Sequence, residues 1–234
     1  MAEHDFIVDN HYLYVEELCR DYKLPLSCLN SEKTEISTNR TEWEYENKSG
    51  ENFSAPYLES LAVYRKICES LLKYDIVLFH GSALEIGGKA VLFSGPSGAG
   101  KSTHARMWRE RYGNLVSTIN DDKPLLALKP NEIRVYGTPY AGKEKLQTNT
   151  SAPLADIVFI KQAPENSIRR LDTKEAYPML LNQIYRRSDP ENIVKTLDLA
   201  AKIAQLPIYE VSCTPTHEAA ELVYNTIQIQ GELK

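Results

Sequence analysis

The stretch that most constrains this chain is residues 90–111, AVLFSGPSGAGKSTHARMWRER. Residues 91–94 have strand character and lead into Gly95-Pro-Ser-Gly-Ala-Gly-Lys-Ser102, after which a helical pattern begins. The text is G-x-x-x-x-G-K-[ST] between an apolar strand and a helix, the context a phosphate-binding loop requires. Gly95, Gly98 and Gly100 let the backbone turn tightly and bring its N–H groups against phosphate oxygens. The helix opening near Lys101 points the positive end of its dipole at the same anion. The expected cradle is Gly95, Ser97, Gly98, Ala99, Gly100, Lys101, Ser102 and Thr103. In it Lys101 reaches the β- and γ-phosphates and the Ser102 hydroxyl holds Mg²⁺.

Two neighbouring stretches carry further chemistry. Residues 115–119 read as a strand that runs into Asn120-Asp121-Asp122-Lys123-Pro124. A strand ending in Asp after a phosphate loop and its helix is where a Mg²⁺-coordinating carboxylate lies in such folds. Adjacent strand residues point to opposite faces, so both aspartates face one ligand only if the chain bends there. Pro124 and the polar cluster supply the bend. One carboxylate can then hold Mg²⁺, directly or through water, and the other can accept a proton from an attacking hydroxyl. Upstream, residues 76–79 form a short buried strand ending in His80-Gly81. Residues 83–86 form a second, and Gly87-Gly88 turns tightly into the loop strand. His80 thus stands at a strand end two strands ahead of the loop; position alone does not assign a lone histidine a role.

The remaining elements frame this centre. Residues 1–53 read as short strands and turns, with Trp43 and Tyr45 alternating with Glu42, Glu44 and Glu46 as a half-buried strand. Ser54 caps a packing helix with Pro56 in its first turn, ending near Tyr74 and burying Tyr57, Leu61, Tyr64, Cys68 and Leu71. The helix over 101–112 turns Met107 and Trp108 inward and its arginines outward. Residues 125–128 and 133–136 make a hairpin, and its exit loop carries Lys143 and Glu144, candidates for a phosphate and a metal-shell contact. A central strand follows at 157–160 and a shorter one at 167–171. Helices are expected at 173–185 and, capped by Asp189, at 190–204. A last strand covers 208–211. A closing helix after Pro215 buries Ala219, Leu222, Val223 and Ile227. The organisation expected is an extension over 1–53 and a catalytic domain over 54–234.

Composition narrows the class of partner. The chain has 234 residues, 42% hydrophobic, with a net charge of −5. That is enough for one medium domain with an appendage. A mildly acidic chain is not built to hold a nucleic-acid backbone. The basic pairs Arg169-Arg170 and Arg186-Arg187 read as solvated surface. Cys19, Cys28, Cys68 and Cys213 show no C-x-x-C spacing, so free thiols are expected. The start MAEHDFIVDN does not read as a secretory signal, and no apolar run approaches a membrane span; the expectation is a cytoplasmic protein without a membrane partner.

At His80-Gly81, GPSGAGKS and Asn-Asp-Asp the sequence resembles the HPr kinase/phosphorylase catalytic domain and its relatives. These belong to the phosphoenolpyruvate-carboxykinase-like phosphate-loop fold. The family order is His-Gly at a strand end, a short hairpin, the loop, a helix, then paired aspartates. This chain repeats it over residues 78–126. The closer likeness is to HPr-kinase-like serine kinases of unassigned substrate, including those encoded beside peptide-modification genes. It rests on HGSA, GAGKSTHARMW, NDDKPLL and YGTPYAGK and extends to about Arg170. The resemblance implies an α/β fold with a mixed sheet and a small N-terminal β-containing extension. It implies ATP and Mg²⁺ as cofactors, a serine-containing peptide or protein as acceptor, and a homo-oligomer. It gives Asp122 the role of proton acceptor, sets Asp121 near the metal and makes His80 an active-site histidine beside Lys101. Two family segments have no clear equivalent here: the Leu-Glu-x-Arg-Gly segment, for which Glu144 is a weak candidate, and the C-terminal loop that engages HPr. Rival expectations are a kinase for a small serine-like hydroxyl compound and a nucleotide-binding accessory protein without transfer. The chain carries no N-K-x-D motif of the guanine-nucleotide switches.

Overall fold

A computed structural model describes residues 1–28, 32–47, 50–186 and 189–227. Arg187, half of one basic pair, lies outside the described residues. The chain forms two compact units, Met1–Ile76 and Val77–Lys234. The sequence reading drew a boundary ahead of the long helix at 55–71; here that helix belongs to the first unit.

The first unit is a two-stranded parallel sheet, β1 (Asp5–Asp9) and β2 (Lys33–Ser37), with three helices. These are α1 (Leu13–Leu18), α2 (Arg40–Glu46) and α3 (Ala55–Leu71). Helix α2 corrects the strand expected around Trp43. Asn39 accepts from the Glu42 backbone N–H, and the Glu42 side chain accepts from the Asn39 N–H, a complete capping box. That reciprocal cap fixes the first turn, and a cap outweighs a short alternation of aromatic and acidic residues. Trp43 is buried and donates through Nε1 to Thr38 Oγ1 at 2.8 Å, while Tyr45 is exposed. Helix α3 buries more than the expected stripe, including Ala62, Val63 and Ile67, whereas Tyr57 and Leu61 are only half-buried. Ser54 stands at its N-cap without a side-chain bond, so the start is set by the proline in its first turn. Glu59 is fully buried on α3, and its carboxylate accepts from the backbone N–H groups of His11 and Tyr12 at 2.6 and 3.0 Å.

The second unit is a mixed sheet covered by helices. Its strands are β3 (Ile76–Leu78), β4 (Ser82–Ile86), β5 (Lys89–Ser94), β6 (Val116–Asn120), β7 (Leu125–Leu128), β8 (Ile133–Tyr136), β9 (Ser151–Gln162), β10 (Ser167–Arg170) and β11 (Ile208–Cys213). Its helices are α4 (Lys101–Tyr112), α5 (Thr173–Leu181), α6 (Pro190–Ile203) and α7 (His217–Thr226). The strand order is β3-β7-β8-β9-β5-β4-β6, with β11 also on β9 and β10 on β11. The expected α/β class with a mixed sheet is what the chain adopts.

Strand β9 organises this sheet. One edge pairs in parallel with β5, while the other pairs antiparallel with β8 near its start and parallel with β11 farther on. Residues 157–160 are buried without alternation, as a strand covered on both faces must be. Gly87 and Gly88 have φ of 59° and 78°, the positive values a two-residue turn between β4 and β5 needs. Phe93, Met107, Trp108, Val158, Val211 and Val223 share the core between sheet and helices. Leu222 on α7 is only half-buried; Ala220 takes its place on the inner face. Helix α5 stops at Leu181, four residues short of expectation. Residues 183–185 unwind because Gln183 O and the Tyr185 N–H bond the chain at His80 and Leu78, and Ile184 bridges Phe79.

Among the described residues no helix is long and apolar enough to cross a membrane. Cys19, Cys28, Cys68 and Cys213 are free thiols.

Candidate active site

The loop between β5 and α4 has the backbone its glycines allow. Gly95, Gly98 and Gly100 have φ of 139°, 80° and 104°, in the region an L side chain resists. Gly95 is also tight: a Cβ there would stand 3.0 Å from Ile160 O and 3.2 Å from Ala99 Cβ. Gly100 is the N-cap of α4 and offers no side-chain cap. The N–H groups of Lys101, Ser102 and Thr103 therefore open the helix without intrahelical partners, because its first bond runs from the His104 N–H to Gly100 O. Lys101 Nζ donates to Gly95 O at 2.9 Å and Pro96 O at 3.1 Å, so the ammonium folds back over its own loop. Burial lowers its pKa below the ordinary lysine value, against the pull of Asp122. Ser102 is exposed. This arrangement fits a phosphate tail: amides without helix partners, an ammonium on loop carbonyls, and glycines where a Cβ would strain the chain.

Asn120-Asp121-Asp122 leaves the end of β6 in a bend, and the three side chains do different work. Asn120 is fully buried. Its amide Nδ2 donates to Thr138 O and Tyr140 O, both at 3.2 Å, and its Oδ1 accepts from the N–H groups of Asp122 and Lys123 at 2.9 and 2.7 Å. It makes the bend and ties it to the loop after β8. Asp121, 7% exposed, accepts the Gly142 N–H on Oδ1 at 2.8 Å. A Cβ on Gly142 would fall 2.9 Å from Asp121 Oδ2, so a larger residue there would require that carboxylate to shift. Asp122 faces the other way: its Oδ1 lies 3.3 Å from His80 Nε2. Burial pushes the Asp122 carboxyl up, but the His80 hydrogen bond and the charges of Lys123, His80 and Lys101 outweigh it and hold its pKa below the ordinary aspartate value.

His80 is held from several sides. Its N–H donates to Gln183 O at 2.8 Å, and its carbonyl accepts from Ser94 Oγ at 3.1 Å. The next residue, Gly81, donates to Asp122 O at 3.0 Å, and Ser82 Oγ donates to Asp121 O at 3.2 Å. A Cβ on Gly81 would meet Phe93 O at 2.8 Å, so the turn sits against the loop strand itself. The end of β3, the start of β4, the end of β5 and the bend after β6 are thus one bonded assembly.

The expected residues divide accordingly. Asp122 and His80 stand 3.3 Å apart, the turn that carries His80 is bonded to Ser94 at the end of the loop strand, and the charge of Lys101 helps to lower the Asp122 pKa. Asp121 turns toward residues 137–150, and Glu144 pairs with Arg109 of α4 at 2.7 Å. Lys143 is exposed. Asn120 and Gly142 fall inside the motifs NDDKPLL and YGTPYAGK, but their parts in the site show only in the fold: Asn120 clamps the bend to the loop after β8, and Gly142 donates to Asp121.

No protein-family model and no curated protein matches the chain. Among solved structures it is similar to the Hpr(Ser) kinase/phosphatase from Coxiella burnetii, with 14% sequence identity and a TM-score of 0.37, over 63% of this chain and 94% of that one. The likeness is a distant one of fold.

Proposed function

We propose that the chain is an ATP- and Mg²⁺-dependent kinase that moves the γ-phosphoryl group to a serine hydroxyl of a peptide or protein. One observation carries the reading. A half-buried carboxylate, Asp122, stands 3.3 Å from His80 Nε2, and the turn that carries His80 is bonded to Ser94 at the end of the strand that leads into the glycine-lined loop of Lys101. Phosphoryl transfer asks for little else from a protein than placement and charge neutralisation. The hydroxyl oxygen bonds to the γ-phosphorus as the bond to the β–γ bridging oxygen breaks. The hydroxyl proton passes to Asp122, and the nucleoside diphosphate leaves. Lys101 releases the Gly95 and Pro96 carbonyls and, with the N–H groups of residues 101–103, takes up charge on the phosphate oxygens.

Bound Mg²⁺ would neutralise phosphate charge. Ser102, exposed at the start of α4, is its candidate ligand, whereas Asp121 is engaged by the Gly142 N–H and faces the loop after β8. Among the described residues no group of three or more His, Cys, Asp or Glu could hold a metal. That suits a cation that arrives with its nucleotide and keeps several waters.

Asp122→Asn tests the proposal because the amide keeps the shape but cannot take the proton. Transfer to serine peptides should fall below detection while ATP affinity stays within about twofold. Unchanged turnover removes Asp122 from this role. A panel of serine peptides and free serine with labelled ATP identifies the acceptor class. ATP binding with no labelled product in any arm would make the chain a nucleotide-binding accessory protein instead.

A further inference from the structure

The first unit carries a cleft of its own, of about 350 Å³, whose described lining residues all fall within residues 1–24. Its walls include Phe6, Ile7 and Val8 of β1, Val15 on α1, Cys19 just past it, and Leu24. With Asp5 the strand contributes four successive residues, and successive side chains of a strand point to opposite faces. A cleft over one face would be lined by every second residue, so this one follows the edge of the strand. That edge is open: among the described residues β1 pairs with β2 alone. An open edge presents a row of backbone N–H and C=O groups that a further strand can bond.

The edge is not blunted, and its surround is acidic. Asp-Phe-Ile-Val-Asp holds no proline, glycine or lysine, and its three apolar residues are only half-buried. Leu24 in the wall is 56% exposed, and Leu13 on α1 is 71% exposed, so apolar surface stands in water here. Residues 1–24 carry six acidic and two basic side chains. Of the two cations, Lys23 is engaged by Glu16 at 2.9 Å. Glu3, Asp9, Glu17 and Asp21 are exposed.

We infer that the first unit docks the peptide that carries the acceptor serine, an occupant that rests on the reading of the chain as a peptide kinase. An extended stretch of that peptide joins β1 as an added strand, with apolar side chains in the cleft and basic residues between them. Main-chain bonds hold such a strand, and the cleft selects its alternate side chains. Opposite charges across a strand pair attract and like charges repel. The acidic surround therefore favours a basic segment and disfavours a second copy of this chain.

The test binds fluorescent ten-residue peptides to the full chain without nucleotide, read by anisotropy. Each peptide carries one serine and alternates valine with lysine, glutamine or glutamate. Two further forms of the lysine peptide are N-methylated, one at the valines and one at the lysines; each keeps its charge but can no longer bond along one edge. The lysine peptide should bind about tenfold or more tighter than the glutamate peptide, with glutamine between. One N-methylated form should lose about tenfold while the other binds like the parent, and hydrogen exchange should slow at residues 5–9 in the complex. Leu24→Arg, at an exposed wall position, should weaken the lysine peptide by about fivefold or more with an unchanged circular dichroism spectrum. No binding of any peptide, or two N-methylated forms that both bind like the parent, overturns the added strand. Equal binding of the lysine and glutamate peptides overturns the basic partner. A dimer in light scattering, with residues 5–9 protected before any peptide is added, makes the occupant a second copy and overturns the peptide. Phosphoryl transfer from labelled ATP to the lysine peptide separates the dock from the chemistry. Binding without transfer keeps the dock and counts against the kinase reading. Transfer with the same KM in the wild type and in Leu24→Arg overturns the dock and leaves the kinase reading standing.

Discussion

Asp122 lives under opposed influences. Burial alone would raise its pKa; the His80 hydrogen bond and the nearby cationic side chains bring it below the ordinary 3.8. A carboxyl depressed on folding adds stability above its unfolded pKa, and that contribution is lost only as pH falls through the lower, folded value. Acidification from neutrality to pH 5 therefore leaves this group ionised, as a proton acceptor must be. Replacing His80 with Ala removes the largest of the opposing influences, and burial then pushes the Asp122 midpoint upward. Carbon-detected NMR titration of the aspartate carboxyls should show one midpoint moving up, and an unmoved midpoint would mean that His80 does not hold this carboxylate. Lys101 and Asp122 stand out in the sequence because short motifs set them at fixed spacing, whereas His80 is singled out only by the family resemblance. The pairings of Asn120 and Gly142 are not written there, because each residue's partner lies about twenty residues away. His104 is buried on the inner face of α4, and burial holds its pKa down to about 4; nothing in a helical stretch of basic residues announces that.

Among the elements, the loop over residues 137–150 shows how an irregular segment is fixed without a helix or strand. Thr148 donates its N–H to Ile119 O at 3.1 Å and its hydroxyl to Thr118 O at 2.7 Å, while Asn120 and Asp121 hold residues 138–142. Asn120→Ala would strand the N–H groups of Asp122 and Lys123 and the carbonyls of Thr138 and Tyr140. Buried polar groups left unmade cost about 1–3 kcal/mol each, and partial rewetting should limit the total to about 2–4 kcal/mol. Urea denaturation measures that loss, and hydrogen exchange should quicken at residues 122–123 and 140–142; a loss under about 0.5 kcal/mol would mean that Asn120 does not clamp the loop. The sequence showed most elements around the loop strand, since apolar runs and turn residues agree there. It misread α2, where a four-residue alternation hid a capping box. It also shortened β9, whose first residues become strand only because β8 lies beside them.

At the scale of the molecule, pairing over long separations decides what the sequence leaves open. Strand β5 lies against β9, some sixty residues later in the chain, and β9 against β11, and no local pattern dictates either choice. These pairings bring the glycine loop and the ends of β9 and β11 to one end of the sheet, within Val77–Lys234. Any ligand that binds only the folded form stabilises the unit that holds it, by RT ln(1 + [L]/Kd). MgATP at a hundred times its Kd should therefore add about 2.7 kcal/mol to the stability of the second unit. If the two units melt separately in calorimetry, only the transition of Val77–Lys234 moves up. Exchange protection should then rise at residues 95–103. In Lys101→Ala most of the gain should vanish, because the ammonium that meets the phosphates is gone while the fold keeps its core. A gain confined to Met1–Ile76, or one of equal size in Lys101→Ala, would place the nucleotide elsewhere and leave the glycine loop as a structural turn.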